Sequence, residues 1–416
     1  MDKENDFQTV KGSIKGDLSQ CTVSGGVYRA MWWARCFGVA PLRFWKADRA
    51  DGWRVRISPT AFVLGCIFVI LLDISILASP FVNPNPHSRL RRSHTRWVIL
   101  MANYIIMSCL TSNAVFGGRQ RTRQIITCLD RVNKMDKTIS AEYIKLSSGK
   151  DVKIYVIIIL TILMSVLGSV VDCWEVVRVK LNTDINILFA DLNNNPMFLM
   201  MHFIVMMTRL QFTVSSFKVF TTIRSINDVL EQVELTSSNR KYMLAVPGYR
   251  KLRPIEDVIR QMSSMYVSTC DVVEQLDSCC GPNLLLLLMS CFLQLVTQSY
   301  WLSQNLFISM RSFPRMLSNL IWCVCQIMWL VEIVEPCHRT KLETGRTKLL
   351  ISKLSGVLNT RPILVELEKL AQYLEMNQVG YAPLGICVLS RSLIAGILAN
   401  VTTYLVVIIQ FQTTDT

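Results

Sequence analysis

Charged side chains are scarce in this sequence. They make up 18% of its 416 residues, whereas an average soluble protein carries about 25%. Hydrophobic residues account for 51%, the mean hydropathy is +0.35, and the apolar residues are concentrated in long runs. This composition excludes an ordinary soluble domain and predicts a polytopic membrane protein.

Sequence motifs typical of enzymes are also missing. The four histidines have no metal-binding spacing, and the chain has no phosphate-binding loop, GxGxxG or GxSxG sequence. The 14 cysteines lie mainly in apolar runs or in predicted cytosolic loops, so neither a disulfide scaffold nor a zinc site is expected. We therefore predict no catalytic activity, no cofactor, no metal and no nucleic-acid partner.

No signal peptide is expected either, because the first 56 residues are polar and basic and lack an apolar core. What the chain does have is seven apolar stretches, each close to the roughly 20 residues that a helix needs to cross the hydrocarbon layer. They are about 60–79, 97–116, 154–174, 196–217, 283–303, 316–334 and 389–411. The first span is expected to serve as the insertion signal.

The charges of the connecting loops predict the orientation. Segments 1–56, 118–153, 218–282 and 337–383 contain 10, 9, 8 and 7 Lys and Arg, whereas the alternate segments contain 4, 2, 2 and 0. Positively charged loops remain in the cytosol, so the N-terminus is predicted to be cytosolic and the C-terminus extracellular. Four arginines between residues 89 and 96 are the one cluster that opposes this orientation.

These observations divide the chain into regions. A cytosolic N-terminal region is expected at 1–56, with a loose start at 1–30 and an interfacial segment at 31–42. The regions after it are spans 1–4 at 57–217, a cytosolic helical extension at 218–282, spans 5–6 at 283–336, a cytosolic helical anchor at 337–388, and span 7 with a short tail at 389–416. Apolar residues at helical spacing predict that the cytosolic parts are amphipathic helices, which form an oligomeric scaffold or lie on the membrane surface.

A ligand pocket is predicted at the outer ends of the spans. In this orientation, seven aromatic, acidic or polar residues collect there: Tyr104, Asp172, Trp174, His202, Gln298, Tyr300 and Trp301. Polar residues inside membrane spans are costly and tend to face cavities, and aromatic walls with few polar groups suit a small ligand. The alternative is an aromatic belt with hydrogen bonds between helices. Arg209, within the fourth span, either pairs with Asp172 or extends toward the interface.

The last span is the candidate pore helix. Thr403, Val407 and Gln410 recur at about helical spacing, and Phe411 follows Gln410. Several copies around one axis would form aliphatic rings and a ring of neutral amides, which would select weakly among cations. The alternative is an ordinary lipid-facing helix.

One motif lies close to the C-terminus: Thr403-Tyr404, five hydrophobic residues and Gln410-Phe411. It resembles the signature of insect gustatory receptors. The fructose-receptor-like branch is similar at further sites: 129–136, Leu295-Val296 with Tyr300, 334–338, 362–364, 385–387, Arg391 and Gln412. The general sweet-receptor branch has an acidic residue where this chain has Leu405.

The resemblance implies an all-α membrane protein in the plasma membrane of sensory neurons. Each subunit would contribute seven transmembrane helices to a tetrameric, non-selective cation channel, either a homotetramer or an assembly with related receptors, with membrane lipid around it. It also implies that Tyr300 and Gln410 link the pocket to the pore and that Trp174 lies in the pocket. Asp172 departs from the smaller residue expected there.

The expected function is therefore a taste receptor that a small extracellular tastant opens, such as a sugar like fructose. A bitter compound in the same pocket is the alternative. A G-protein-coupled receptor would need an extracellular N-terminus, and no Asp-Arg-Tyr follows the third span. A transporter would be expected to show an inverted repeat, and none is evident.

Overall fold

The computed structural model is almost entirely helical. It describes residues 22–23, 25–46, 53–82, 94–142, 162–171, 185–238, 254–307, 313–358, 360–377 and 379–414, with residues 156, 159 and 160. At some helix ends, among them 185–196 and 411–414, it describes the backbone alone. Asp172 and Trp174 lie outside the described residues, and so does the side chain of Phe411.

The helices are numbered in chain order within the described residues. Their bounds are α1 Gly25–Cys36, α2 Pro59–Val82, α3 His94–Phe116, α4 Gly118–Glu142, α5 Ile162–Val171, α6 Ile185–Ser238, α7 Ile255–Phe307, α8 Phe313–Val357, α9 Arg361–Met376 and α10 Arg391–Thr414. A 3-10 turn at Pro383–Gly385 precedes α10.

Several of these helices can cross a bilayer. Among the described residues, four are long and apolar enough: Pro59–Ile76, Met197–Leu235, Ile255–Ser303 and Met316–Val357. Shorter apolar helices lie at Ile162–Val171 and Arg391–Val407, within the third and seventh predicted spans, and α3 covers the second. Large apolar side chains such as Leu64 and Leu71 are exposed on α2, as expected of a surface that faces lipid.

Helices α6, α7 and α8 form the centre of the molecule. They contain 54, 53 and 45 residues, so each is roughly 70–80 Å long, more than twice the thickness of the hydrocarbon layer. Each therefore continues as one helix beyond the membrane. Pro282 and Pro336 lie inside α7 and α8 without ending them.

Polar contacts join α6 to α8 in this extension. Asn227 donates a hydrogen bond to the Glu343 carboxylate at 2.9 Å and accepts one from Thr347 at 2.7 Å. Arg346 forms ion pairs with Asp228 at 2.9 Å and with Glu231 at 2.6 Å. Helix α9 packs on the same bundle with a stripe of buried residues, Ile363, Leu367, Leu370 and Leu374.

The N-terminal region contains a small sheet that the sequence reasoning did not predict. Strands β1 Thr22–Val23, β2 Leu42–Lys46 and β3 Trp53–Ile57 form an antiparallel sheet in the order β1-β3-β2. The alternation of apolar and basic residues in β3 is typical of a half-buried strand. Each strand is too short for its alternating pattern to be distinguished in the sequence from the longer helical patterns.

Helix α1 occupies part of the segment expected to be loose or interfacial, since it begins at Gly25. Its buried face, Val27, Ala30, Met31 and Ala34, lies at helical spacing and faces α6, where Gln211 contacts the Met31 sulfur at 3.9 Å. The ring of Phe37 stacks on that of Phe203 with centroids 5.5 Å apart. Residues 25–36 are therefore an ordered part of the helical core.

Candidate functional site

A cavity opens between α3, α6, α7 and α8. Its volume is about 110 Å³, and nine described residues line it: Asn103, Phe198, Leu199, His202, Gln294, Gln298, Asn319, Trp322 and Gln326. On α7 and α8 the lining residues are three or four positions apart, and on α6 His202 follows Leu199 by three and Phe198 by four, which places each set on one side of its helix. The cavity is therefore formed by facing stripes of several apolar helices.

The lining is polar but carries few charges. Five of the nine residues are carboxamides, and the described lining contains no Asp, Glu, Lys or Arg. Gln326 donates a hydrogen bond to the Gln294 carbonyl, and Gln294 contacts the Met107 sulfur at 3.2 Å and Ser290 at 3.3 Å. This chain of contacts fixes the two glutamines, so that the cavity wall presents amides in set positions.

Other polar atoms at the cavity lack protein partners. The Asn103 side-chain oxygen and both ring nitrogens of His202 are buried and make no hydrogen bond within the described structure. Buried polar groups are almost always hydrogen-bonded, and unpaired ones cost about 1–3 kcal/mol each. These atoms are therefore suited to bind a hydroxyl group or water in the cavity.

Aromatic rings form the inner wall. The His202 ring lies 4.9 Å from Trp322, edge to face, and 4.8 Å from Trp329. Behind them, the Arg209 guanidinium stacks 3.8 Å from the Trp329 ring centroid. Arg209 thus packs against an aromatic face. The ion pair with Asp172 that the sequence suggested stays a prediction, because Asp172 lies outside the described part of the chain.

The structure separates the residues of the predicted pocket into two groups. His202 and Gln298 line the cavity. Tyr104 lies behind the wall, with its ring 5.8 Å from that of Phe198. Tyr300 is fully buried with its ring 5.4 Å from that of Trp301, and neither of these two lines the cavity.

Sequence reasoning missed the contribution of α8. Asn319, Trp322 and Gln326 follow each other at intervals of three and four residues inside an apolar run, a spacing that places them on one face of α8. Asn103, Phe198 and Leu199 carried no comparable signal, because they belong to the cavity only through the packing of α3 against α6.

The predicted pore residues lie on α10. In the single subunit, Thr403, Val407 and Gln410 are exposed. The helix packs on the subunit through Val401, which lies against Leu295 and Val296. The ring of Tyr404 meets Phe292 of α7 with centroids 5.7 Å apart. One side of α10 thus contacts the subunit and another remains open.

Known proteins resemble this chain in sequence. It is 28% identical to "Gustatory receptor for sugar taste 43a" of Drosophila melanogaster over 159 residues, and this aligned region covers 38% of this chain and 37% of that protein. Over 178 residues it is 26% identical to "Putative gustatory receptor 28a" of the same species, 41% of this chain and 39% of that protein. The matches therefore span about two fifths of these relatives.

Solved structures resemble it in fold. The insect olfactory receptor OR5 from Machilis hrabei matches with a TM-score of 0.62 at 12% identity, over 92% of this chain and 97% of the other. The same receptor in complex with eugenol matches with a TM-score of 0.63. The sequence model of the 7tm chemosensory receptor family matches residues 28–415. Because that match covers nearly the whole chain, this multi-pass membrane protein belongs to the 7tm chemosensory receptor family.

Proposed function

We propose that this protein is a gustatory receptor that acts as a ligand-gated, non-selective cation channel and is opened by a small extracellular sugar such as fructose. The observation that carries the proposal is the cavity with five carboxamides and two unpaired His202 nitrogens. Each carboxamide offers both donors and acceptors without a net charge. That chemistry matches the hydroxyl groups of a neutral sugar.

The size of the cavity supports a ligand with a single ring. A volume of about 110 Å³ is of the same order as a cavity of about 150 Å³ that holds benzene. The aromatic faces of Trp322 and Phe198 supply an apolar wall for the ring carbons. The name of the first Drosophila relative, a receptor for sugar taste, agrees with this ligand class.

A bitter compound is the second candidate ligand. The edge-to-face contact of His202 and Trp322 provides a wall that also suits an aromatic ring. The olfactory receptor of similar fold has been solved with eugenol. An aromatic ligand would depend mainly on Trp322, whereas a sugar would depend mainly on the amides.

The channel part of the proposal rests on the charge distribution and on α10. The excess of Lys and Arg in alternate loops supports a cytosolic N-terminus and seven spans, the arrangement opposite to that of a G-protein-coupled receptor. The open side of α10 with Thr403, Val407 and Gln410 supports a pore at the axis of a tetramer. The extensions of α6 to α9 supply the cytosolic anchor.

Ligand-evoked current in cells that express this chain tests the proposal. Gln298→Leu and Asn319→Leu each remove one amide from the cavity, so each is expected to raise the half-activating fructose concentration about tenfold or more. Thr297→Val is the matched control on the same helix. The Thr297 hydroxyl bonds to its own backbone at Leu293 at 2.8 Å and does not line the cavity, so its response should be unchanged.

Two outcomes would contradict the proposal. Silence toward a broad panel of sugars, despite surface expression, would argue against a sugar-gated channel. A response to bitter compounds that Trp322→Leu abolishes and Gln298→Leu leaves intact would favour the second candidate ligand instead.

A further inference from the structure

The N-terminal sheet has one strongly basic face. In the register of β2 and β3, Arg43 lies directly opposite Arg56, and Trp45 lies opposite Arg54. Paired residues point to the same side of a sheet, and so do residues two apart. The three arginines therefore share one face, and all three are exposed.

The other face of the sheet is occupied by the protein itself. Phe44 and Val55 are paired there, and Val55 is buried. The Tyr28 ring of α1 stacks on Trp53 at 4.9 Å and meets Phe44 edge to face at 5.3 Å. The basic face is thus the side of the sheet opposite this aromatic cluster.

Such a face is unfavourable by itself. Like charges directly opposite each other destabilise a strand pair, and Arg54 is only about 7 Å along β3 from Arg56. Among the described residues, none of the three arginines forms an ion pair, and the described strands contain no Asp or Glu. A multivalent anion would relieve this repulsion.

The position of the sheet indicates where that anion comes from. Strand β3 ends at Ile57, and the first apolar span begins at Pro59. Helix α1 exposes Trp32 and Trp33, at 41% and 38%, and exposed tryptophan is typical of the membrane–water boundary. The basic face therefore lies at the level of the lipid headgroups.

We propose that Arg43, Arg54 and Arg56 form a binding site for the phosphate headgroup of an anionic phospholipid. The site rests on the proposed cytosolic N-terminus, because anionic lipids are concentrated in the cytoplasmic leaflet. Guanidinium groups bind phosphate through paired hydrogen bonds, which lysine cannot form. The bound lipid neutralises the face and secures the start of α2.

A binding titration of the purified full-length receptor tests this site. The probe is dioctanoyl phosphatidylinositol 4,5-bisphosphate, and its Kd is measured without tastant. Arg43→Gln with Arg56→Gln is expected to weaken binding about 30-fold, since each basic residue near an anionic surface contributes about fivefold. The control is Lys341→Gln with Lys348→Gln, two exposed lysines of α8, with an expected change below twofold.

Equal weakening by both double variants would overturn the site, because only overall charge would then matter. Equal affinity for dioctanoyl phosphatidylcholine or for soluble inositol trisphosphate would also overturn it. If the double variant does not fold, Arg54→Gln alone must weaken binding. A missing sugar response would contradict the proposed function but would leave this titration unaffected. An N-terminal epitope tag that is accessible from outside intact cells would overturn the lipid site itself. The failures of the two proposals are therefore distinguishable.

Discussion

At the scale of single residues, the aromatic wall of the cavity continues inward to a buried cation. His202 and Arg209 lie seven residues apart on α6, and both contact Trp329 of α8. Two guanidinium nitrogens of Arg209 and the indole nitrogen of Trp329 are buried without partners in the described structure. Burial of the Arg209 guanidinium in this stack therefore carries a considerable desolvation penalty.

Substitutions of Arg209 should separate the charge from the stacking. Arg209→Lys keeps a cation but loses the planar contact, worth up to about 2 kcal/mol when desolvated, so it should lower the thermal midpoint. Arg209→Met removes the buried charge at similar length, so its midpoint should be equal to or above that of the natural protein. Thermal size-exclusion measurements check the order, with Arg224→Lys at an exposed position of α6 as control. A lower midpoint for Arg209→Met than for Arg209→Lys would contradict this account.

The sequence indicates part of the cavity at this scale. A polar residue within an apolar run marks a side chain that avoids lipid, and this rule pointed to Gln298 and His202. It does not define the rotation of each helix about its axis. Tyr300 lies two residues after Gln298, and two residues turn a helix by roughly 200°, so its ring is buried away from the cavity. Trp301 lies three residues after Gln298 and also does not line the cavity.

At the scale of elements, helical periodicity is informative where apolar residues recur over many turns. The buried positions Val219, Ile223, Ile226 and Val233 lie at helical spacing, and α6 runs through them without a break. Five-residue strands give no such repetition. The sheet at β2 and β3 forms because Tyr28 and α1 cover one of its faces, a tertiary contact that local pattern does not reveal.

An ion-pair cluster connects α8 to the start of α10. Arg391 binds both carboxylate oxygens of Glu335, at 2.7 and 3.1 Å, and Arg339 binds one of them at 2.7 Å. Arg339 lies on the same helix as Glu335, whereas Arg391 reaches it from the candidate pore helix. The cluster is thus a direct mechanical link between these two elements.

Two arginine variants test that link. Arg391→Gln should shift the ligand concentration needed for opening, because it releases the base of α10 from α8. Arg339→Gln also removes one positively charged partner of Glu335, but it leaves the contact between Arg391 and Glu335 in place. Its dose–response curve should therefore match that of the natural protein. Identical curves for all three proteins would show that the Glu335 cluster does not take part in gating.

At the scale of the whole molecule, the side of α10 that does not contact the subunit is available to pack against other subunits. Val406 and Val407 remain 53% and 38% exposed although Val401 is buried. In the proposed assembly, this side faces the axis and the neighbouring subunits. Mass photometry of the purified protein is then expected to give about four times the subunit mass of 47.4 kDa. A single peak at the subunit mass would contradict a stable tetramer.

In the proposed assembly, Gln410 is the residue expected to influence ion flow. Four copies of α10 around an axis would bring four exposed Gln410 amides together at the outer end of the pore, where neutral carbonyl groups coordinate cations weakly. Gln410→Ala is expected to change single-channel conductance and the ratio of sodium to potassium permeability, while surface expression stays the same. Thr402→Val is the matched control, because Thr402 is exposed on another side of the helix and its hydroxyl bonds to Ala399 at 2.7 Å. Unchanged currents in Gln410→Ala would place the amide away from the pore and leave α10 as a lipid-facing helix.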